Sequence, residues 1–330
     1  MRAVVVEKFG PFEDASIRDI PTPTLGAGDV LLEVHAVAAN FVDTLLIGGT
    51  YQFRPTLPFV PGKLPAGVVK TVGADVTTLK AGDRVLAIAE YGGYGEAVVL
   101  PASHCIRIPP AMSFTDAASM SSVYDTSLVA LRDRAQFKPG ESVLVVGATG
   151  GVGLASLQLV KALGGTALAG VGNPAKAHLA LEAGADAIID LSGADLKDKL
   201  RDQVYAANGG RGVDIVLDML GGDYFDAAIR TLAWRGRLVV IGFAAGRIPT
   251  LKVNYVLLKN ISVSGIQISN YRAKAPELTA DCFAELFSLY EAGKIKSLPT
   301  TTMPMERFAD ALRALRDRTA QGRIVLVPQA

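Results

Sequence analysis

The chain has 330 residues, of which 50% are hydrophobic and 20% are charged, and its formal net charge is +1. This length exceeds what one doubly wound sheet needs, so we expect two domains. The balanced charge does not favour a nucleic-acid partner, and the two cysteines, Cys105 and Cys282, provide no disulfide framework. No segment reaches the roughly 18 apolar residues of a membrane span. The N-terminus does not resemble a secretion signal, so we expect a cytoplasmic protein without membrane contact.

The N-terminal third of the chain contains short β-rich runs that are interrupted by proline and glycine. These runs lie at 30–36, 67–72, 84–89 and 97–100. Runs of this kind, bounded by turn-forming residues, are typical of strands, and a helical period first appears near 113–120. We therefore predict a mostly β domain in this part of the chain.

A glycine-rich turn follows the next apolar run. The segment reads VLVVGATGGVG at 143–153, and an amphipathic helical pattern follows at 154–163. A strand, a glycine turn and a helix in this order are typical of a dinucleotide-binding unit, because glycines let the helix N–H groups approach a pyrophosphate. Ala148 occupies the first glycine position of the strict motif, so a simple turn at a strand end is the alternative interpretation.

The second strand of this unit is predicted at 166–172, TALAGVG. An NAD-dependent enzyme would carry Asp or Glu at its end, where the carboxylate accepts the ribose 2′-hydroxyl. Here Asn173 follows the strand and Lys176 lies just beyond, so a 2′-phosphate would meet an amide and a cation. These residues favour NADPH as the cofactor. A solvated Lys176 in the first turn of the next helix is the alternative.

Further β-rich runs then alternate with helical patterns. The runs lie at 185–191, 213–219 and 238–243, and one helical pattern lies at 225–234. This alternation indicates a parallel sheet covered on both faces, and we place its domain at 125–267. Two later helices and a strand exceed what that sheet needs, so we expect them to return to the first domain, which then comprises 1–124 and 268–330. These late elements are predicted at 278–292, 308–318 and 324–327.

Segments spread over nearly the whole chain carry a family resemblance. They read AVAANFVDTLLIGGTY at 36–51, LPFVPG at 57–62, AGDRVLA at 81–87, YGGYGEAVVLP at 91–101, KPGESVLVVGATGGVG at 138–153, IGFAAGRIPTLKVNYVLLKNISVSG at 241–265 and GRIVL at 322–326. Through them the chain resembles the medium-chain dehydrogenase/reductase superfamily and, within it, the zinc-independent, ζ-crystallin-like quinone oxidoreductases. The resemblance implies an α/β fold with a GroES-like, mostly β catalytic domain and a Rossmann domain whose doubly wound parallel sheet binds NADPH. It also implies a homodimer joined through the edges of the cofactor sheets.

The resemblance further implies roles for particular residues. It assigns NADPH binding to Thr149, Gly150, Gly151, Val152, Asn173, Lys176, Gly242, Phe243 and Arg318. Asn40 and Tyr51 would hydrogen-bond the acceptor, and Thr126 would position the nicotinamide. Simpler roles stay open, because Asn40 and Asp43 could cap a helix and Tyr51 could serve packing. Arg318 could likewise be a solvated residue at a helix end.

Zinc-dependent relatives hold their catalytic metal through a Cys, a His followed by Glu, and a second Cys or Asp. The matching positions here are Asn40, Lys63 with Leu64, and the Asp125–Thr126 region. A lysine cannot replace the histidine ligand, so we expect no metal. Leu64 also stands where most quinone oxidoreductases carry an acid, and Pro65 follows it. We therefore expect the loop beside the active cleft to be reshaped.

These observations favour hydride transfer from NADPH to a quinone without a metal. Reduction of an enone or a 2-alkenal is the alternative within the same class, because the protein would again contribute orientation, exclusion of water and a hydrogen bond to the oxygen that gains charge. A weakly active nucleotide-binding protein with a structural or RNA-binding role is the alternative from another class. The sequence has no basic stripe interleaved with aromatic residues, which argues against RNA as a partner.

Overall fold

Two units make up the chain in the computed structural model, which describes residues 1–193 and 195–328. Unit 1 comprises Met1–Ser122 and Ser297–Ala330, and unit 2 comprises Val123–Lys296. The chain first passes from unit 1 to unit 2 within one helix, Phe114–Val129. Residues 194, 329 and 330 lie outside the described part of the chain.

The strands of the described residues are β1 (Arg2–Val5), β2 (Ser16–Asp19), β3 (Asp29–Ala39), β4 (Ala66–Val72), β5 (Arg84–Ala87), β6 (Ala97–Pro101), β7 (Cys105–Arg107), β8 (Ser142–Val146), β9 (Thr166–Val171), β10 (Ala187–Asp190), β11 (Val213–Asp218), β12 (Leu232–Val240), β13 (Ser262–Gly265), β14 (Thr300–Pro304) and β15 (Arg323–Val327). The helices are α1 (Phe41–Ile47), α2 (Phe114–Val129), α3 (Gly151–Ala162), α4 (Ala177–Glu182), α5 (Leu196–Ala207), α6 (Gly222–Ala228), α7 (Asn254–Lys259), α8 (Ile268–Lys274), α9 (Pro276–Glu291) and α10 (Phe308–Arg316). None of these helices combines the length and the apolar content that crossing a bilayer requires.

Unit 1 is built around a mixed sheet. Its strand order is β14-β15-β3-β4-β5-β7, and β6 also pairs with β3. Along the first half of β3, Val30, Leu32 and Val34 are buried and alternate with more exposed neighbours, because successive side chains of a strand point to opposite faces. The predicted mostly β character of this part of the chain is confirmed.

Unit 2 contains one parallel sheet with the strand order β10-β9-β8-β11-β12-β13. β8 is buried along its whole length, as expected for a strand that is covered on both faces. The chain moves outward from β8 to β9 and β10 and then returns to the other side of β8 with β11. In doubly wound sheets a ligand binds at the carboxyl ends of the strands at this point of reversal. The predicted α/β fold with a Rossmann sheet is confirmed.

The helical pattern predicted at 225–234 is wrong only at its last three residues, because α6 and a 3₁₀ turn extend to Thr231 and β12 begins at Leu232. Leu232 pairs with Val213, but the next residues, 233–236, bulge out of the ladder before the pairing resumes. Trp234 lies in this bulge and is 70% exposed. The apolar pattern therefore includes an aromatic residue that faces solvent rather than the buried side of a helix.

The expected domain boundary at 267/268 also differs from the structure. α8 and α9, which we expected in the first domain, belong to unit 2. Arg272 of α8 forms a buried ion pair with Asp125, with 2.7 Å between Nη2 and Oδ2, and Glu285 of α9 pairs with Arg132, with 2.5 Å between Oε1 and Nη2. Since these contacts tie both helices to unit 2, only the elements from β14 onward return to unit 1 in the described part of the chain.

Candidate active site

The predicted glycine-rich turn lies at the carboxyl end of β8. Gly147 has a φ of 92°, and α3 begins directly after Gly150, earlier than the sequence pattern predicts. A Cβ atom at Gly153 would lie 2.7 Å from the Cα atom of Ala148. Glycine at 153 is therefore required for α3 to pack this closely against the turn.

The first turn of α3 presents backbone N–H groups at the same edge of the sheet. The N–H of Leu154 donates to the carbonyl of Gly150 at 2.8 Å, so the N–H groups of Gly151 and Val152 precede the first bond of the helix. A Cβ atom built at Gly150 would meet the Gly147 carbonyl oxygen at 3.5 Å, an ordinary contact, so the backbone does not crowd this side of the turn. These N–H groups and the helix dipole fit a pyrophosphate.

The end of β9 carries the residues predicted to select the cofactor. The Oδ1 atom of Asn173 accepts the N–H of Ala175 at 3.1 Å and caps a short 3₁₀ turn that ends at the half-buried Lys176. A Cβ atom at Gly172 would have no neighbour within 4 Å. The segment between Val171 and Lys176 contains no Asp or Glu. Its amide and ammonium groups fit a 2′-phosphate better than a 2′-hydroxyl.

Asp218, at the carboxyl end of β11, is a residue that the sequence analysis missed. Its Oδ1 atom accepts the N–H groups of Leu220 and Gly221 at 2.9 and 3.0 Å. Its backbone carbonyl accepts the N–H of Ile241 at 2.8 Å. Burial raises the pKa of the Asp218 carboxyl, while the two N–H donors lower it. Asp218 therefore shapes the turn after β11, and its signal in the sequence is an acid at the end of an apolar strand.

The segment after β12 carries Gly242 and Phe243. It runs beside the turn after β11, because the N–H of Ala244 donates to the Met219 carbonyl at 3.0 Å. Phe243 is 41% exposed and lies against Gly221, where a Cβ atom would come within 2.8 Å of the phenyl ring. Glycine at 221 thus makes room for Phe243 at the carboxyl edge of the sheet.

Parallel strands bring most of the predicted cofactor residues to one edge of unit 2. These residues are Thr149, Gly150, Gly151, Val152, Asn173, Lys176, Gly242 and Phe243. Arg318 belongs to unit 1, where it follows α10 with a φ of 58°. Its contact with a 2′-phosphate stays a prediction.

Thr126 lies in unit 2 on α2 and is 7% exposed. Its backbone N–H donates to the Oδ1 atom of Asp125 at 2.6 Å. The other oxygen of Asp125 accepts from Nε and Nη2 of Arg272, at 2.9 and 2.7 Å. The buried ion pair therefore holds Asp125 against Thr126, and the role of Thr126 toward the nicotinamide stays a prediction.

Asn40 lies in unit 1 between β3 and α1 and is 6% exposed. Its Oδ1 atom accepts from Nη2 of Arg323 at 2.8 Å, and its Nδ2 atom donates to the Ala38 carbonyl at 3.0 Å. Because arginine only donates and a carbonyl only accepts, these partners determine which way the amide faces. The Nδ2 atom carries a second N–H, so Asn40 is arranged as a donor. The sequence analysis did not single out Arg323.

Asp43 caps α1, which is the simpler role left open for it. Its Oδ2 atom accepts the backbone N–H of Asn40 at 2.8 Å and the hydroxyl of Tyr94 at 2.9 Å. Its Oδ1 atom is buried without a hydrogen-bond partner among the described residues. Burial raises the pKa of Asp43 to about 6, against the lowering effect of the two hydrogen bonds and of the charges of Lys63 and Arg323. A buried acid therefore lies next to Asn40.

Tyr51 follows α1 and is half-buried against an apolar cluster that includes Leu46 and Phe59. The Nζ atom of Lys63 lies 4.8 Å from the centroid of the Tyr51 ring. Lys63 is 1% exposed, and its ammonium group forms an ion pair with Glu90. The loop that we expected to be reshaped is therefore buried, and its Lys63 pairs with Glu90, which lies after β5.

The side chains at the zinc-ligand positions do not fit a metal. Lys63 is a cation paired with Glu90, Leu64 has no donor atom, and Asp125 is paired with Arg272. Within residues 1–193 and 195–328, no group of three or more His, Cys, Asp or Glu side chains could hold a metal ion. The side chains at these positions are therefore not a set of metal ligands.

Comparison with known families and proteins matches both units. Residues 26–110 match the alcohol dehydrogenase GroES-like domain, and residues 151–285 match the zinc-binding dehydrogenase domain. A curated quinone oxidoreductase-like protein 2 homolog of Nematostella vectensis is 34% identical over 328 residues, which cover 98% of this chain and 88% of that protein. The likeness therefore extends through both domains.

Solved structures agree with these matches. The quinone oxidoreductase of Pseudomonas syringae pv. Tomato has a TM-score of 0.90 and 30% sequence identity, and the match covers 99% of each chain. A mycobacterial protein solved in complex with NADPH also has a TM-score of 0.90 and 30% identity, over 99% of this chain and 100% of that chain. The chain therefore belongs to the medium-chain dehydrogenase/reductase superfamily, among the quinone oxidoreductase-like proteins.

Proposed function

We propose that this protein transfers a hydride from NADPH to a quinone without a metal ion. Membership of the quinone oxidoreductase-like proteins supports an oxidoreductase, and the mycobacterial relative binds NADPH. The main support is the orientation of the Asn40 amide, which its hydrogen bonds with Arg323 and the Ala38 carbonyl fix as a donor. Asn40 stands at a position where zinc-dependent relatives bind their metal. In place of a metal, this hydrogen-bond donor stabilises the negative charge that forms on the acceptor.

Unit 2 would hold the cofactor at the carboxyl edge of its sheet. NADPH, when bound, supplies a hydride from C4 of its nicotinamide ring. The N–H groups at the start of α3 would bind the pyrophosphate, and Asn173 and Lys176 would bind the 2′-phosphate. Arg318 of unit 1 would add a second cation, and Thr126 would position the nicotinamide.

Unit 1 would act on the acceptor through two donors. The second N–H of Asn40 and the hydroxyl of Tyr51 would bond to the acceptor oxygen as it gains negative charge. Because the side chains at the ligand positions do not fit a metal that could acidify an alcohol, an acceptor with a delocalised anion is favoured. The protein then contributes orientation and charge stabilisation, and no residue forms a covalent intermediate.

Transfer of deuterium tests this proposal and its alternative acceptor. An enone or a 2-alkenal is the alternative, because the same two donors fit its carbonyl oxygen. NADPH that is deuterated at C4 of the nicotinamide is incubated with an enone, and the product is examined by mass spectrometry and NMR. Deuterium at the β-carbon supports the enone. NADPH oxidation by a quinone is measured in parallel. If quinones oxidise NADPH but enones do not, the quinone is supported, and if neither oxidises NADPH, the proposal is contradicted.

We also propose that the protein forms a homodimer through unit 2. β13 is the edge strand of the parallel sheet, and the segment before it exposes large apolar side chains. Ile248, Val253, Leu257 and Leu258 are 69%, 72%, 77% and 74% exposed. Four large apolar side chains exposed within eleven residues are typical of a protein–protein interface. Light scattering after size-exclusion chromatography should give twice the chain mass, and Leu257→Glu should lower it to that of one chain.

A further inference from the structure

Lys63 is a buried cation that the mechanism above does not use. Its side chain is 2% exposed, and its ammonium group is paired with the carboxylate of Glu90, which is 24% exposed. Removing a charged group from water is unfavourable unless an opposite charge and hydrogen bonds compensate for it. Glu90 supplies that compensation and remains in contact with solvent.

The backbone keeps Lys63 and Glu90 close together. Leu64, which follows Lys63, donates its N–H to the carbonyl of Ala89, which precedes Glu90, at 2.9 Å. The loop before β4 is therefore joined to the segment after β5 at the point where the two charges meet. The position of the ammonium group depends on this backbone pairing as well as on the side-chain rotamers.

Tyr51 lies next to this pair. The Nζ atom of Lys63 is 4.8 Å from the centroid of the Tyr51 ring, within the range of a cation–π interaction. We propose that Lys63, anchored by Glu90, is a positioning residue that holds the Tyr51 ring so that its hydroxyl reaches the acceptor. This inference rests on the proposed function, in which the Tyr51 hydroxyl donates to the acceptor oxygen.

A double-mutant cycle tests the inference in the full-length protein. Lys63→Met removes the charge at nearly constant length, and Tyr51→Phe removes the hydroxyl but keeps the ring. We expect K63M to lower kcat/KM for a quinone about tenfold in the unmodified background and less than about twofold in Y51F, because a ring without a hydroxyl gains nothing from being positioned. NADPH affinity should be unchanged in K63M.

Two further variants accompany this cycle. Glu90→Gln loosens the anchor without removing the buried ammonium group, so a smaller loss of about threefold should again vanish in Y51F; it serves if K63M does not fold. Lys70→Met is the matched control, because Lys70 forms an exposed pair with Glu33 in the same unit, at 3.4 Å. K70M should leave kcat/KM unchanged.

The results distinguish the positioning role of Lys63 from the proposed function on which it rests. If Y51F lowers kcat/KM but K63M and E90Q cause the same loss in both backgrounds, the positioning role is wrong and the proposed function stands. If Y51F leaves kcat/KM unchanged, the proposed role of Tyr51 is wrong, and the inference about Lys63 falls with it. Weaker NADPH binding in K63M would also overturn the inference.

Discussion

The guanidinium group of Arg323 donates to the amide oxygen of Asn40 at 2.8 Å and so determines that the amide nitrogen faces the other way. Arg323 is 5% exposed, and its Nε atom donates to the Ser119 carbonyl at 3.1 Å. It lies on β15, 283 positions after Asn40 in the sequence. A residue near the end of the chain therefore orients a candidate catalytic residue near its beginning.

Asn40→Asp tests whether the amide nitrogen is the donor. Aspartate keeps an oxygen for Arg323 but has no N–H, and its charge repels the anion that forms on the acceptor. We expect kcat/KM for the acceptor to fall about 10- to 100-fold, since a hydrogen bond to a charged group contributes about 1.5–3 kcal/mol. NADPH affinity, measured by fluorescence, should not change. An N40D enzyme with full activity would remove Asn40 from the site.

Lys176→Ala tests the preference for NADPH. The loss of this ammonium group should narrow the difference between the binding free energies of NADPH and NADH by about 1–3 kcal/mol, the range of a charge-assisted hydrogen bond. Lys199→Ala is the control, because Lys199 is an exposed lysine of unit 2 paired with Asp195. Fluorescence titration of both cofactors gives the affinities. Equal affinities in the unmodified protein would contradict the assignment of Asn173 and Lys176.

Asp43 should give the stability of unit 1 a specific dependence on pH. Burial raises the pKa of Asp43 from 3.8 to about 6, so the folded protein holds this proton more tightly than the unfolded chain. The contribution of Asp43 to stability is therefore full below about pH 4 and is lost as the pH rises through about 6. Asp43→Asn keeps an oxygen for Asn40 and Tyr94 and does not titrate.

We expect the free energy of unfolding of D43N, relative to that of the unmodified protein, to rise by about 2–2.5 kcal/mol between about pH 4 and about pH 7. Urea unfolding of both proteins over this range gives the difference. Other titrating groups are shared by the two proteins and cancel. A difference that stays constant over the range would show that Asp43 titrates near its ordinary pKa.

Prolonged chelation should leave turnover unchanged. The expectation follows from Lys63 and Leu64, which stand at metal-ligand positions and cannot bind zinc. Elemental analysis of the purified protein and NADPH oxidation before and after chelation provide the test. Zinc in a one-to-one ratio that is lost together with turnover would show that other residues of this chain form a metal site.

Local patterns predicted much of unit 2, because a strand, a glycine turn and a helix are each encoded by neighbouring residues. The strand at 143–146 and the glycine-rich turn that follows it are examples. The bulge at Trp234 was not predicted, since an exposed aromatic residue gives the same apolar pattern as a buried one. The assignment of α8 and α9 to unit 2 depends on the Arg272–Asp125 and Arg132–Glu285 pairs, and each of them joins residues far apart in the sequence.

The candidate site in unit 1 was predicted less completely, because its contacts also join residues that are far apart in the sequence. The family resemblance pointed to Asn40 and Tyr51 as candidates, but it did not indicate the side chains that contact them. Lys63 and Glu90 are 27 positions apart, and nothing local indicates that they pair. The sequence contains one indication of Arg323, because it is a basic residue at the start of the apolar run IVLV. A search for buried charges could have used this pattern.

NADPH oxidation with a panel of acceptors shows whether the protein reduces conjugated acceptors without a metal. The panel contains quinones, enones and 2-alkenals, and ethanol oxidation with NADP⁺ is measured beside it without added metal. We predict turnover with quinones or conjugated carbonyls that is much faster than any oxidation of ethanol, because their nascent anion is delocalised. Fast oxidation of ethanol, or no turnover with any acceptor of the panel, would contradict the proposed function.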